Sequence, residues 1–239
     1  MKGDGLYWFL AHAFDVFIWG GELLGRENLP EAGPAVFVSN HALALGPIAA
    51  VASLPLRVYP WVISDMLDWD KAAAYLNQDF VEPQLHIPPS LSMPLARLIS
   101  QFSVRLLRAV GSIPVWQGDA LFDTYRQSVD LLAEGKNLLI FPEDPKAEMD
   151  EQYKMTPFKK GFGRLGEIFH KQTGKILRFY PLAVHAESRR IRSGIPILFN
   201  PNNNPMKERL RIKSVLEAMI REMVLDMSLE SYVGIPLPH

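Results

Sequence analysis

The chain has 239 residues, of which 48% are hydrophobic and 21% charged, and its formal net charge is -1 at pH 7. This length and composition are typical of a globular protein with one sizeable packed domain, and the near-zero charge gives no reason to expect nucleic acid as a partner. There is no cysteine, which excludes disulfides, thiolate metal sites and a cysteine nucleophile.

The first element is an apolar stretch from Leu6 to Trp19, interrupted by His12 and Asp15. It is too short to cross a bilayer as a helix, which takes about 20 residues, but its aromatic residues suit a membrane interface. The alternative is that it packs on the protein's own core, and both hold if opposite faces are used. No secretory signal pattern is visible, so we expect a cytoplasmic protein, peripheral at the inner face of the membrane.

After residue 30, short apolar runs alternate with helical periods. This pattern predicts the α/β class: a single domain over residues 25–239 with a mixed or mostly parallel sheet flanked by helices, preceded by an apolar or amphipathic helix over residues 1–24. The predicted strands are 35–39, 56–63, 113–115, 137–141, 176–184 and 189–193. The predicted helices are 48–53, 91–110, 119–134, 156–172 and 206–227.

Two polar side chains directly follow apolar core runs. His41 comes just after the run 35–39, and Glu143 just after the run 137–141. Open α/β sheets bind ligands at the carboxyl ends of their strands. We therefore expect His41 and Glu143 side by side at that edge.

Cofactor and metal motifs are weak. Gly161 to Gly166 matches the dinucleotide pattern Gly-x-Gly-x-x-Gly, but it lies in or at the start of a predicted helix where the pattern requires a preceding strand. The six histidines are scattered, with no ligand spacing. We expect neither a cofactor nor a metal.

Four segments in series resemble the motifs of the glycerolipid acyltransferases of the 1-acylglycerol-3-phosphate (lysophospholipid) acyltransferase type. In chain order they are 27–41, ending in Asn40-His41; 111–115; Phe141-Pro-Glu143 with 157–161; and 180–184. With Gly194-Ile-Pro196 they cover roughly residues 25 to 230. Each motif alone is weak, whereas the ordered series is specific.

The resemblance implies acyl transfer from a thioester, either acyl-CoA or an acyl-carrier protein, to a hydroxyl of a lysophospholipid or related acceptor. His41 would be the general base, because its imidazole titrates near neutral pH. An aspartate at position 46 would orient the imidazole, and two arginines would hold the acceptor phosphate. The implied substrate-binding positions are Asn40, Gly46, Gln117, Pro142, Lys146, Lys159 and Lys160.

This chain departs from the family pattern at three points. Gly46 replaces the aspartate, Gln117 replaces the second-motif arginine, and Asp144 to Lys146 replace Gly-Thr-Arg. Asp144 is a candidate to orient His41 in place of the missing aspartate, with Glu143 as the competing carboxylate. The alternative for Asp144 is that it bonds the backbone of its own turn.

Charge is uneven along the chain. Lys154 to Arg192 carries ten Lys or Arg against two acids, which suggests either a solvated face or a field that attracts phosphate groups. Three functions remain open: an active acyltransferase served by Asp144 or Glu143, a non-catalytic protein that binds acyl chains or lipid, and a thioester hydrolase acting through His41 and water. The sequence does not indicate an oligomeric state.

Overall fold

The computed structural model describes residues 4–42, 45–82 and 87–233. The chain divides into two compact units, one built from residues up to 58 and from 128 onward, the other from residues 59–127. The strands are β1 (Glu22–Leu24), β2 (Ala35–Ser39), β3 (Val58–Ile63), β4 (Ile113–Val115), β5 (Asn137–Ile140), β6 (Arg178–His185), β7 (Arg190–Ser193) and β8 (Ile197–Leu198). The helices are α1 (Gly5–Phe14), α2 (Leu45–Ser53), α3 (Ala72–Leu76), α4 (Pro89–Val110), α5 (Leu121–Ala133), α6 (Arg164–Thr173) and α7 (Pro205–Val233).

In the first unit, strands pair in the order β1-β7-β6-β2-β5, and β8 pairs with β6. Strand β2 is parallel to both β5 and β6, while β7 and β8 run antiparallel to β6. Strands β2 and β5 are buried along their whole length and apolar almost throughout, as expected for parallel strands covered on both faces. Helix α7 packs on β6, and α1 packs on α2. The predicted α/β class, with a mixed and mostly parallel sheet flanked by helices, is confirmed.

The helix predicted over residues 156–172 is wrong at its start. Met155 and Phe158 form isolated bridges with Asp150 and Glu143 instead, and the α-helix begins only at Arg164, after a 3-10 turn. The backbone N–H of Lys159 donates to the carbonyl of Pro142 at 2.8 Å. The segment is therefore held extended against the loop that follows β5.

Within the described residues, the N-terminal helical segment ends before residue 24. Helix α1 continues as a π-helical turn through Trp19 and ends at Gly20, whose φ of +55° lies in the left-handed region that favours glycine. Residues 22–24 then form β1, which pairs in parallel with β7.

The second unit contains β4 and β3, which pair in parallel, and α4, which packs on α3. Among the described residues, no helix combines the length and the apolarity needed to cross a bilayer.

Candidate active site

His41 and Glu143 meet at the edge where the parallel strands β2 and β5 end. The register pairs Val38 with Ile140, so the two loops leave the sheet side by side. The carboxylate Oε1 of Glu143 accepts the backbone N–H of His41 at 2.5 Å. The expected juxtaposition of the two residues is confirmed.

The side chain of Glu143 accepts hydrogen bonds from the loops at this edge of the sheet. Its other oxygen, Oε2, accepts the N–H of Thr156 at 2.8 Å and its hydroxyl at 3.3 Å. Both carboxylate oxygens are thus engaged in hydrogen bonds that tie two loops together. These bonds give Glu143 a positioning role, and its catalytic role stays a prediction; they also add Thr156, which the sequence did not indicate.

Asn40 fixes the residue before His41. Its side chain is buried; Nδ2 donates to the carbonyl of Val184 at 2.9 Å, and Oδ1 accepts the N–H of Val184 at 2.8 Å. This pair of bonds extends the β2–β6 ladder past Ser39. Asn40 therefore holds the loop, and its expected contact with a substrate stays a prediction.

The side chain of His41 reaches the surface. The residue is exposed, and its ring packs edge-on against Phe141 with ring centroids 5.2 Å apart. The backbone beneath it is held through Asn40 and Glu143 on two sides. An accessible imidazole on a fixed backbone is the arrangement that a general base needs.

Gly46 has no room for a side chain. Its N–H donates to the carbonyl of His41 at 3.1 Å, and a Cβ built on Gly46 would lie 2.0 Å from that oxygen and 3.0 Å from the carbonyl oxygen of Asn40. Both neighbours are backbone atoms, which cannot swing aside as the end of a flexible side chain can. An aspartate at position 46 would therefore force this turn to move. The same packing shows Gly46 as a turn residue, with no side chain to offer a substrate.

The carboxylate of Asp144 is occupied by contacts within its own turn and with Lys159. Its Oδ1 accepts the N–H of Lys146 at 3.1 Å and pairs with Lys159 Nζ at 3.2 Å. These interactions, led by the Lys146 N–H, lower the pKa of Asp144 and keep it ionised. The geometry is that of the turn-capping alternative, and it gives no support to Asp144 as the orienting residue of His41.

The basic residues beside the site differ in their surroundings. Lys146, Lys159 and Lys160 are exposed, and Lys160 Nζ lies 4.0 Å from Met206 Sδ. Pro142 is buried and its carbonyl accepts the Lys159 N–H, while its expected contact with a substrate stays a prediction. Further along the basic segment, several charges form ion pairs: Lys154–Glu151, Lys171–Glu167, Arg190–Glu230 and Arg192–Glu230.

Gln117 belongs to the second unit. It is exposed and extended, directly before the 3-10 turn Gly118–Ala120. Its expected contact with an acceptor phosphate stays a prediction.

The glycines of the dinucleotide-like pattern serve helix packing. A Cβ on Gly166 would come within 2.6 Å of the Phe199 ring, and one on Gly163 within 3.2 Å of Arg209 Cα. No strand precedes them within the described part of the loop, so the pattern lacks its phosphate-binding context. Within the described residues, no three His, Asp or Glu side chains gather as a metal-binding cluster.

One polar residue at the same edge was missed by the sequence analysis. His185 ends β6, directly after the fourth resembling segment, and its Nδ1 lies 2.7 Å from Ser188 Oγ and accepts the Ser188 N–H at 3.2 Å. Burial lowers the pKa of His185, which favours the neutral ring. Its position at a strand end was the available signal.

No protein-family model matches the sequence, and no curated protein matches it. Among solved structures, the chain is similar to the 1-acyl-sn-glycerophosphate (LPA) acyltransferase PlsC from Thermotoga maritima. The identity is 13%, the TM-score is 0.52, and the match covers 98% of this chain and 80% of that one. At this identity the likeness shows a shared fold: this chain has an acyltransferase-like fold.

Proposed function

We propose that the protein transfers a fatty acyl group from a thioester, acyl-CoA or acyl-carrier protein, to a hydroxyl of a lysophospholipid or related acceptor, with His41 as general base. The observation that carries the proposal is the pair His41 and Glu143 at the carboxyl edge of an acyltransferase-like fold. An exposed imidazole whose backbone is fixed from two neighbouring strands suits proton transfer at a bound substrate.

The proposed reaction needs no cofactor. The imidazole of His41 takes the proton of the acceptor hydroxyl as the oxygen attacks the thioester carbonyl. The tetrahedral intermediate then collapses, the C–S bond breaks, and the leaving thiolate takes the proton from the imidazolium. The products are an acyl ester and a free thiol, and His41 returns to its starting state.

The acceptor contacts proposed here involve the exposed ammonium groups of the segment that follows β5. Lys159 is already paired with Asp144, whereas Lys146 and Lys160 present exposed side chains on the same loop system. A lysine binds phosphate as a point charge, without the bidentate geometry of an arginine. We therefore propose a looser selection of the acceptor headgroup than two arginines would give.

Peripheral membrane association is part of the proposal. In the N-terminal segment, Tyr7, Ala11 and Trp19 are buried, while Leu6, Phe9 and Phe17 are exposed, Phe17 by 83%. One face thus packs on the protein and the other presents large apolar side chains, as in interfacial helices. The proposed location is the inner face of the membrane.

A second candidate is a non-catalytic protein that binds acyl chains or lipid. Two observations favour it: Gly46 excludes a side chain, and the carboxylate of Asp144 is taken by Lys146 and Lys159. In the serine-protease template, loss of the orienting aspartate costs about 10⁴ in turnover. A hydrolase acting through His41 and water is the third candidate.

One experiment separates the three. The protein is incubated with long-chain acyl-CoA or acyl-carrier protein and a panel of lysophospholipid and alcohol acceptors, and both free thiol and acylated product are measured. A transferase releases thiol in step with acylated product and only when an acceptor is present. A hydrolase releases thiol and free fatty acid without an acceptor, and a binding protein releases neither.

A further inference from the structure

Helix α4 buries its small residues and exposes large apolar residues, which is the reverse of a helix that packs on a soluble core. The side it buries carries small residues at four-residue spacing: Ser92, Ala96, Ser100 and Val104. The side it exposes carries large apolar residues: Leu91 is 60% exposed, and Leu98 and Phe102 are each 68% exposed. Sequence periodicity places Leu98 and Phe102 on the apolar face, and the structure turns that part of the face outward.

The exposed apolar residues form a continuous stripe. Steps of seven and four residues along a helix of 3.6 residues per turn keep Leu91, Leu98 and Phe102 within about 40° of one another. At 1.5 Å per residue the stripe is about 16 Å long. Soluble proteins scatter exposed apolar residues singly, so an aligned set indicates a surface that meets an apolar partner.

The charge beside the stripe has a single sign. Helix α4 contains Arg97, Arg105 and Arg108, all exposed, and no aspartate or glutamate. Helical spacing places all three on one side of the stripe. Arginines beside an apolar stripe extend their stems along it and leave the guanidinium at the level of lipid headgroups.

An exposed tryptophan strengthens this edge. Trp69 is 43% exposed, and the guanidinium carbons of Arg105 and Arg108 lie 5.9 and 5.3 Å from its ring centroid. Arg108 is anchored by donating to the carbonyl of Leu67 at 2.6 and 3.1 Å. Indole rings and arginines are both favoured at the boundary between headgroups and acyl chains.

The nearby carboxylates of Asp65 and Asp68 do not neutralise these arginines. Asp65 pairs with Lys71 at 3.6 Å, and Asp68 accepts the backbone N–H groups of Asp70 and Lys71. These carboxylates are engaged within their own loop.

We propose that α4 is a membrane-binding element, distinct from the N-terminal segment, which lies on an anionic bilayer with Leu91, Leu98 and Phe102 inserted among the acyl chains. The arginines select anionic headgroups by charge complementarity. A second copy of this chain is a poorer occupant, because an antiparallel isologous contact would bring two rows of arginines together. The proposal stands apart from acyl transfer, since binding is measured without turnover.

The absence of cysteine allows a site-specific test. Leu98→Cys is labelled with an environment-sensitive fluorophore and mixed with phosphatidylcholine vesicles, with and without phosphatidylglycerol. The control is Leu210→Cys, which labels an exposed leucine of α7 in the first unit. We expect a blue shift and intensity gain at position 98 on anionic vesicles, quenched by lipids that carry a quencher in the acyl chain, and no change at position 210.

Unlabelled variants test whether removing these side chains weakens binding to vesicles. Leu98→Ser with Phe102→Ser should weaken sedimentation with anionic vesicles about tenfold or more, because two large side chains no longer insert. Leu210→Ser with Leu229→Ser should bind like the parent. Circular dichroism checks that each variant is folded.

Three results would overturn the proposal. The first is an unchanged emission at position 98 when anionic vesicles are added. The second is a shift that grows with protein concentration in the absence of vesicles, which would indicate a second copy as the occupant. The third is a shift produced by an acidic carrier protein and not by vesicles.

Discussion

The carboxylate of Glu143 accepts the backbone N–H of His41 at 2.5 Å, so the third resembling motif holds the first in place through the main chain. The same carboxylate holds Thr156. The positioning role of Glu143 does not depend on an aspartate at position 46. By holding the His41 backbone, Glu143 sets the direction in which the His41 ring leaves the sheet.

Glu143→Gln should lower both stability and any activity that depends on His41. An amide offers one oxygen and one NH2 group, so one of the N–H donors of His41 and Thr156 would face another donor. We expect a loss of about 1 kcal/mol, the net contribution of a typical hydrogen bond, because His41 is exposed and Glu143 only half-buried. Urea unfolding measures it. Glu148→Gln, at an exposed carboxylate in the same loop, is the control; an equal unfolding midpoint for both variants would remove the positioning role.

Asn40→Ala should be more costly. It removes the donor to the Val184 carbonyl and the acceptor of the Val184 N–H at a buried position. Two buried backbone groups then lose their partners, which predicts a loss of about 2–4 kcal/mol. Thermal and urea unfolding report it, with the exposed Asn202→Ala as control. A neutral effect would mean that the bridge between β2 and β6 contributes nothing.

Gly46→Asp should destabilise the protein and should not raise its activity. The added Cβ would lie 2.0 Å from the His41 carbonyl oxygen, so the turn must move, and the ring of His41 moves with it. Gly5→Ala is the control, because nothing lies within 4 Å of its Cβ position. Higher acyl transfer by Gly46→Asp, with unchanged stability, would show that this turn relaxes easily and that the missing carboxylate was the limiting group.

The lowered pKa of Glu208 predicts that the free energy of unfolding falls in acid. Burial alone would raise its pKa, but hydrogen bonds from Arg211, Asn203 and the Asn200 N–H outweigh burial and lower the pKa from 4.5 to about 2. Because the folded pKa lies below the unfolded one, the stabilisation is present above pH 4.5 and is lost as pH falls towards 2. At 1.36 kcal/mol per pKa unit this is of the order of 3 kcal/mol.

The measurement is the free energy of unfolding in urea between pH 6 and pH 2.5, for the parent and for Glu208→Gln. The parent should lose stability across this range more steeply than the variant, which lacks the titrating group. Identical slopes would contradict the assignment.

The sequence predicts the sheet core well because its signal is local and strong. The run 35–39 is apolar apart from Ser39 and ends at a polar residue, and β2 matches it residue for residue. The adjacency of His41 and Glu143 follows from two parallel strands that end at one edge.

The sequence predicts wrongly, or not at all, the features that depend on contacts between residues far apart in the chain. The segment 156–160 has helical signals, yet Pro142 and Glu143 hold it extended. The roles of Asn40 and Gly46 depend on Val184 and on the His41 carbonyl, and no spacing in the sequence reveals those partners. Periodicity alone does not tell which side of α4 is buried; the structure buries the small residues, which leaves Leu98 and Phe102 outward.

The most direct measurement of the central claim is acceptor-dependent thiol release by the parent, His41→Ala and His170→Ala. His170 is a second histidine in the first unit, on α6, where its Nδ1 lies 3.1 Å from the Lys175 carbonyl. We expect His41→Ala to lower kcat by about 10²–10⁴, the usual contribution of a general base, and His170→Ala to turn over like the parent. Acceptor-dependent release that is equal in the parent and in His41→Ala would contradict the assignment of His41 as the base, and no release by the parent with any acceptor would contradict acyl transfer itself.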